Sequence, residues 1–234
     1  MLMNVLACLL RYVAIIIPVV ITLFLVRYLL PVPHEVFRKV LHAVAFTSTP
    51  LIMWLAGDWH VACLTLLVVG AVVWPILAAL ERVPLYSYSL VERHMHEIRR
   101  SMLLFFWGDA LLVALCWGLF GNPQATATSI LMWGFGDASA ALVGKRWGRH
   151  HTELPLADPA KTWEGSGAMC VVSTVVGVAS LMAFGAAGVL GCLVCAVVAA
   201  VVGAYVELIT KNGNDTITVP FAIAAVLLSF ALLA

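Results

Sequence analysis

Long apolar runs without Asp, Glu, Lys or Arg alternate along this chain with short segments that hold most of its charges. The charge-free runs cover residues 40–57, 59–80, 110–136, 165–206 and 216–234. A helix needs roughly 20 mostly apolar residues to cross the hydrocarbon layer of a bilayer. Because backbone N–H and C=O groups in lipid must find partners within the segment, such spans are helices. The pattern therefore predicts an all-α, polytopic membrane helix bundle.

The same pattern predicts about eight transmembrane helices in a single transmembrane domain, residues 1–234. We expect them near residues 8–30, 40–56, 60–80, 102–120, 124–144, 165–184, 188–209 and 216–234. The run 165–206 is long enough for two spans, with a turn near residues 184–188. The first helix has an alternative interpretation as a cleaved signal sequence, although no basic segment precedes it and no A-x-A site follows it.

Composition supports the membrane assignment, since 63% of the residues are hydrophobic and only 11% are charged. Soluble domains run near ~45–50% apolar and ~25% charged residues. The net charge of +1 gives no field that would attract nucleic acid, so none is expected as a partner, and oligomeric state stays open. Cys192 and Cys195 have redox or metal spacing, but they lie in an apolar helix without a nearby histidine, which favours simple packing.

Basic residues mark one side of the predicted bundle. Loops one, three, five and seven hold eleven of the 13 basic residues: Arg38, Lys39, Arg82, Arg93, Arg99, Arg100, Lys145, Arg146, Arg149, Lys161 and Lys211. Lys and Arg accumulate in cytoplasmic loops, so these loops and the active face are predicted to be cytoplasmic and both termini outside, with Arg11 as the exception. The expected location is the cytoplasmic membrane, or the endoplasmic reticulum in a eukaryote.

Three acids, Asp109, Asp137 and Glu207, fall inside predicted spans, each in the half of its helix nearer the basic loops. A carboxylate at the bilayer centre costs about 2.5–3.5 kcal/mol on insertion scales, so it usually faces protein or a water-filled cavity. The acids either pair with cations for structural reasons or hold a metal beside a basic anion site. Three of them on one side favour a polar site there.

Two segments of the predicted cytoplasmic face suit an anionic ligand. Asp137 shares a helical face with Ala140, Ala141 and Gly144, where small side chains admit another helix or a bulky ligand, and Lys145-Arg146 follow. After Pro159, Lys161-Thr162 opens the next helix, where free N–H groups, a lysine and a hydroxyl would hold an anion. The chain has no G-x-x-x-x-G-K-[ST] loop.

Further polar clusters add to this face. Arg38 and His42 are four residues apart on one helical face, with Lys39 alongside. The turn sequence 211–216 offers Asn and Asp oxygens, which Mg²⁺ accepts as ligands. The pair His94-x-His96 has no third candidate at metal spacing, so ordinary surface histidines are the favoured interpretation.

In order along the chain, these segments resemble the CTP-dependent lipid kinases, the family of dolichol, phytol/farnesol and CTP-using diacylglycerol kinases. The similarity runs from about residue 35 to 222. It is carried by four elements: Arg38-Lys39-x-x-His42; Gly136-Asp137 through Gly144 to Gly148; Lys161-Thr-Trp-Glu-Gly165-Ser166; and Glu207 with Asn214-Asp215-Thr-Ile-Thr-Val-Pro220. The last element has Asn-Asp where the family has Asp-Asn, which leaves the ligating side chain open.

The central element and the segment 159–165 also look like phosphatidate cytidylyltransferase. That family ends in a G-H-G-G-x-x-D-R-x-D signature, and this chain has no Asp-Arg pair at all. We therefore rank the kinase above the cytidylyltransferase. An ion-coupled transporter is a lesser alternative; it predicts internal repeats and midplane sites, whereas no convincing repeat is found and the motifs sit at one face.

The resemblance implies transfer of the CTP γ-phosphoryl group to a polyprenol, a phytol-like alcohol or diacylglycerol, with Mg²⁺ as cofactor and the lipid entering sideways between helices. It implies Asp137 with Asn214 or Asp215 as metal ligands, and Asp109 or Glu207 as the group that orients or deprotonates the lipid hydroxyl. The implied nucleotide contacts are Arg38, Lys39, His42, Arg99, Arg100, Gly144, Lys145, Lys161, Thr162 and Gly165.

Overall fold

The structure is a computed structural model that describes residues 1–82, 97–152, 157, 159, 161–211 and 213–233. The predicted pair His94-x-His96 lies outside the described residues, and so does Arg93 of the third loop. Eight helices form the described part of the chain: α1 (Leu2–Leu29), α2 (His34–Ala56), α3 (Trp59–Leu80), α4 (Glu97–Val113, continued by a π-helical segment Ala114–Leu119), α5 (Pro123–Trp147), α6 (Trp163–Ala183), α7 (Val189–Ile209) and α8 (Asp215–Leu233). The all-α prediction is confirmed.

Seven of these eight helices are long and apolar enough to cross a membrane. The turn predicted near residues 184–188 is present, because α6 ends at Ala183 and α7 begins at Val189. The exception is α5, which we expected as a span of the same kind. Its residues include Gln124, Thr126, Thr128, Ser129 and Asp137, and the three hydroxyl-bearing ones are fully buried. A helix covered by other helices meets little lipid, so its composition is free to be less apolar.

The predicted helix starts were wrong by several residues at the polar ends. Helix α2 begins at His34 rather than near 40, and α4 begins at Glu97 rather than near 102. Arg38, Lys39 and Arg99 therefore lie within helices and not in loops. Helices extend past the apolar run because the bilayer with its headgroups is about 40–45 Å thick, and backbone hydrogen bonding continues through that polar layer.

The chain forms two compact units, residues Met1–Ala114 and Leu115–Ala234, and the prediction of a single domain stays a prediction. In the first unit α3 packs on α4, and α1, α2 and α3 contact each other. The Tyr12 hydroxyl of α1 donates to Ser48 of α2 at 3.0 Å, and the Cys63 thiol of α3 donates to the Ala110 carbonyl of α4 at 3.4 Å. Asp58 caps α3, and its hydrogen bond from the Val61 N–H lowers the pKa of this exposed carboxyl.

In the second unit α5 packs mainly on α6 and α8 and also touches α7. Its residues Ile130, Met132 and Trp133 are buried almost completely. The Ser173 hydroxyl of α6 donates to the Met132 carbonyl at 2.8 Å, and Thr128 and Ser180 hydroxyls lie 2.7 Å apart. Small residues and interhelical hydrogen bonds hold membrane helices together, because lipid provides no hydrophobic force between them.

Candidate functional site

The most concentrated group of functional candidates lies where the segment before α6 meets the end of α7. The Lys161 ammonium is 2.8 Å from Glu207 Oε1, and the two side chains are only 19% and 9% exposed. The ammonium also donates to the backbone carbonyls of Glu207 and Thr210, the latter at 3.1 Å. A cation at a helix C-terminus is stabilised by the unpaired carbonyls there. Lys161 thus ties the start of α6 to the last turn of α7.

Two more acids belong to this group. Asp137 of α5 and Asp215 of α8 are both near enough to Glu207 to interact with its carboxylate electrostatically. Both are partly buried. The sequence elements around Asp137, Lys161, Glu207 and Asp215 are therefore brought together at one end of the second unit, and the roles expected for these residues stay predictions.

The start of α6 is fixed by a short pairing with the chain that follows α5. His151 and Thr162 form an isolated antiparallel bridge, the Thr152 N–H donates to the Lys161 carbonyl at 3.2 Å, and the Trp163 N–H donates to the His150 carbonyl at 3.0 Å. Thr162 caps the helix, since its hydroxyl oxygen accepts the Gly165 N–H at 3.2 Å. This pairing holds Lys161 in an extended segment aimed at α7.

His150 and Glu164 add a second ion-pair geometry that sequence reasoning missed. His150 Nδ1 lies 2.7 Å from Glu164 Oε1, and the His150 N–H donates to the same carboxylate at 3.3 Å. Glu164 was visible in the segment 161–165, but only the folded bridge brings His150 to it, so no sequence spacing could have found the pair.

The two glycines expected to leave room for a ligand bring α5 and α6 together. A Cβ on Gly165 would lie 3.0 Å from the Ala140 carbonyl oxygen and 3.5 Å from the Gly144 Cα. A Cβ on Gly144 would lie 3.0 Å from Thr162 Oγ1. This small face displays close helix packing, and a ligand contact of Gly144 or Gly165 stays a prediction.

Basic candidates of the first unit gather around helix ends. Arg38 pairs with Glu35 one turn earlier on α2. The Arg99 guanidinium stands 4.6 Å over the Trp74 ring, and its Nε is 3.7 Å from Glu81 Oε1. Arg99 therefore joins α4 to the end of α3, while Arg100 is exposed. That these cations share a membrane face with Lys161 stays a prediction.

Asp109 lies ten residues after Arg99 on α4. It lies twelve residues after the first residue of α4, Glu97, and is 1% exposed. Its carboxylate accepts the Thr49 hydroxyl of α2 at 2.5 Å. In a buried apolar setting this hydrogen bond joins two helices, and its partner is a hydroxyl rather than the cation or the metal that the sequence suggested for each acid.

Mg²⁺ is the cofactor that the resemblance implies, and it needs oxygen ligands from the protein or the substrate. Among the described residues, no three His, Cys, Asp or Glu side chains are close enough to form a protein-only metal site. Mg²⁺ commonly keeps waters and uses one or two carboxylates plus substrate phosphates. Asp137 and Asp215 both interact electrostatically with Glu207, and their carboxylates are hard oxygen donors of this kind. The residues therefore fit a site of this type.

Comparison with known proteins identifies a relative over most of the chain. The chain is 34% identical over 217 residues to a phytol kinase of Synechocystis sp., covering 89% of this chain and 84% of the relative. No model of a protein family matches the chain, and no solved structure matches it. The matched region includes the bulk of the helices, and the relative's activity agrees with the lipid kinase expected from the motif order rather than with the cytidylyltransferase. The chain therefore belongs to the family of membrane lipid-alcohol kinases that contains this phytol kinase.

Proposed function

We propose that the protein transfers the γ-phosphoryl group of CTP to the hydroxyl of phytol or a similar isoprenoid alcohol. Phytol is proposed as the phosphoryl acceptor because the chain is similar to a phytol kinase over 89% of its length. CTP as donor rests on the resemblance of the four motifs to CTP-dependent lipid kinases. The gathering of Asp137, Lys161, Glu207 and Asp215 supports a phosphoryl-transfer site within the second unit.

In this proposal the protein acts by positioning and by neutralising charge, which is what phosphoryl transfer mainly requires. Asp137 and Asp215 would hold Mg²⁺, which supplies charge stabilisation to the phosphate oxygens when bound. We favour Asp215 over Asn214 as the metal ligand because Asp215 is partly buried and interacts with Glu207. Asn214 is exposed, and its backbone carbonyl accepts the N–H groups of Ile217 and Thr218 at the start of α8. Lys161 would bind the triphosphate from the segment before α6.

The remaining cations divide into two groups in the proposed mechanism. Arg38 and Lys39 lie in the second turn of α2, and Lys145 lies in the last turn of α5, where long side chains reach the aqueous layer. They would contact the phosphates or steer the nucleotide, as would exposed Arg100. Arg99 would act indirectly, because Trp74 and Glu81 already hold its guanidinium.

Glu207 is better placed than Asp109 to accept the proton of the lipid hydroxyl. Glu207 lies with Lys161 and within electrostatic range of Asp137 and Asp215, whereas Asp109 is bonded to Thr49 in the packing of α2 and α4. As the proton passes from the alcohol to the carboxylate, the alcohol oxygen bonds to the γ-phosphorus. The bond from that phosphorus to the bridging oxygen breaks, and CDP leaves.

The Asp109→Asn variant is expected to keep most of the kinase activity, because an amide still pairs with the Thr49 hydroxyl and the charge is not used in catalysis. Asp109→Leu is expected to lower stability by about 1–3 kcal/mol, since it leaves a buried hydroxyl without its acceptor. Thermal unfolding and phytol phosphorylation of both variants check this. A hundredfold loss of activity in a well-folded Asp109→Asn protein would make Asp109 the base instead.

A donor and acceptor panel tests the proposal as a whole. The full-length protein in lipid nanodiscs is supplied with CTP, UTP, ATP or GTP, each with phytol, a long polyprenol or diacylglycerol, and products are identified by mass spectrometry. We expect phytyl monophosphate as the main product, formed fastest from CTP. Diacylglycerol phosphorylated faster than phytol, or ATP used faster than CTP, would overturn that part of the proposal.

A further inference from the structure

All three protons of the Lys161 ammonium have acceptors within the protein. An ammonium carries three N–H donors. Its partners are Glu207 Oε1 at 2.8 Å, the Glu207 carbonyl and the Thr210 carbonyl at 3.1 Å. In this arrangement the Lys161 ammonium uses its three N–H donors within the protein. A phosphate that binds Lys161 must therefore replace at least one of these acceptors.

In the first turn of α6, backbone N–H groups are likewise bonded to acceptors of the protein itself. The Trp163 N–H donates to the His150 carbonyl at 3.0 Å, and the Gly165 N–H donates to Thr162 Oγ1 at 3.2 Å. A helix N-terminus attracts anions because such N–H groups are otherwise unpaired. Here two neutral acceptors of the protein use two of these N–H groups. Both elements expected to hold phosphate are thus bonded to the protein's own oxygens.

Of the three Lys161 acceptors, the Glu207 carboxylate is the one that a phosphate exchanges with most readily. It is a charged oxygen on a side chain with rotatable bonds, whereas the two carbonyls are fixed in the last turn of α7. An incoming phosphate therefore displaces the Glu207 carboxylate from Lys161 and leaves the two carbonyl contacts in place.

We propose that Glu207 and the nucleotide phosphates compete for Lys161, so that the Lys161–Glu207 ion pair is a latch that nucleotide binding opens. The latch rests on the proposed function only in requiring that a phosphate-bearing nucleotide binds at Lys161. As a consequence, the Glu207 carboxylate leaves its ion pair only when the nucleotide is bound. Before that moment the pair also neutralises a lysine and an acid that are both largely buried.

Nucleotide binding to four full-length proteins in nanodiscs tests the latch: wild type, Glu207→Gln, Lys161→Met and the double variant. The probes are CDP, which carries phosphates but no transferable γ-phosphoryl group, and cytidine, which carries none. Glu207→Gln is expected to bind CDP on the order of tenfold more tightly, within the range typical of coupled equilibria. Cytidine affinity is expected to be unchanged, and Lys161→Met is expected to weaken CDP binding.

The double variant separates the latch from a general charge effect. Removing any nearby acid lowers the repulsion of an anion, whether or not Lys161 is present. The latch predicts that Glu207→Gln has little effect on the CDP dissociation constant in the Lys161→Met background, which a double-mutant cycle measures. Equal tightening in both backgrounds, or no tightening in the wild-type background, would overturn it. If Glu207→Gln does not fold, Glu207→Asp, whose shorter carboxylate reaches Lys161 less well, is expected to tighten CDP binding by a smaller factor.

Failure of the latch and failure of the proposed function give different results. If wild-type protein binds CDP and phosphorylates phytol while Glu207→Gln leaves the CDP dissociation constant unchanged, the latch is wrong and the kinase proposal stands. If wild-type protein binds neither CDP nor ADP, no nucleotide acts here, and both are wrong. If ADP binds and CDP does not, the same four proteins are compared with ADP and adenosine, with the same expectations.

Discussion

The Asp137→Asn variant is expected to lose lipid phosphorylation by about 100-fold or more while remaining folded, the largest functional effect of any single substitution considered. Asn keeps the size of Asp but loses the charge that suits a divalent cation, and electrostatic stabilisation is the main contribution to phosphoryl transfer. The effect is expected in the rate constant rather than in expression or thermal stability. Initial rates at saturating nucleotide and alcohol, together with unfolding temperature, measure both.

A matched control replaces an aspartate outside the site. Asp58 caps α3, and Asn is an equally good capping residue, so Asp58→Asn is expected to keep near wild-type activity. If Asp137→Asn retained more than half of the wild-type rate, the assignment of Asp137 to the metal would be wrong. If both variants lost activity equally, the loss would reflect general damage to the protein rather than the site.

The largest expected effect on stability comes from Gly165→Val. A Cβ at this position would lie 3.0 Å from the Ala140 carbonyl oxygen and 3.2 Å from Thr162 Oγ1, and valine adds two methyl groups beyond it. Overpacking of this kind costs about 1–3 kcal/mol, and here a backbone carbonyl of α5 is among the atoms that must move. We expect a lower unfolding temperature and a large loss of activity, since Asp137 and Lys161 move apart.

Gly167 provides the control on the same helix. A Cβ on Gly167 would meet no atom within 4 Å, and the residue is exposed. Gly167→Val is therefore expected to leave the unfolding temperature and the kinase rate close to those of wild type. Similar destabilisation by both substitutions would show that the intrinsic helix preference of valine, rather than the contact of α5 with α6, decides the outcome.

Charge-free runs predicted most helices of the described chain because the bilayer imposes one length and one composition on every lipid-facing span. The turn between α6 and α7 was found in an unbroken apolar run for the same reason. Helix α5 does not follow the rule fully, because its surroundings are other helices and its polar residues are buried against them. Hydropathy cannot report how much of a helix is covered by protein.

The candidate site was predicted in part. Motif order pointed to Asp137, Lys161, Glu207 and Asp215, and folding brings them together at one end of the second unit. The partners of Lys161 could not be predicted, because two of its three acceptors are backbone carbonyls that carry no sequence signal.

Two further features depended on packing rather than on motif. From the sequence, a helical face of small residues suits a ligand and a neighbouring helix equally well. Only the fold shows that Gly144 and Gly165 pack against each other. In the same way, the sequence alone could not show that the buried Asp109 accepts a hydrogen bond from Thr49 of another helix.

The position of the transferred label tests the central claim most directly. The purified full-length protein is incubated with phytol or with phosphatidate, and with CTP that carries ³²P on either the γ- or the α-phosphate. The lipid is then extracted and counted. A kinase transfers the γ-label to lipid and leaves the α-label in the aqueous CDP. Label reaching lipid only from the α-phosphate, with phosphatidate in place of phytol as the acceptor, would contradict the account and identify a cytidylyltransferase.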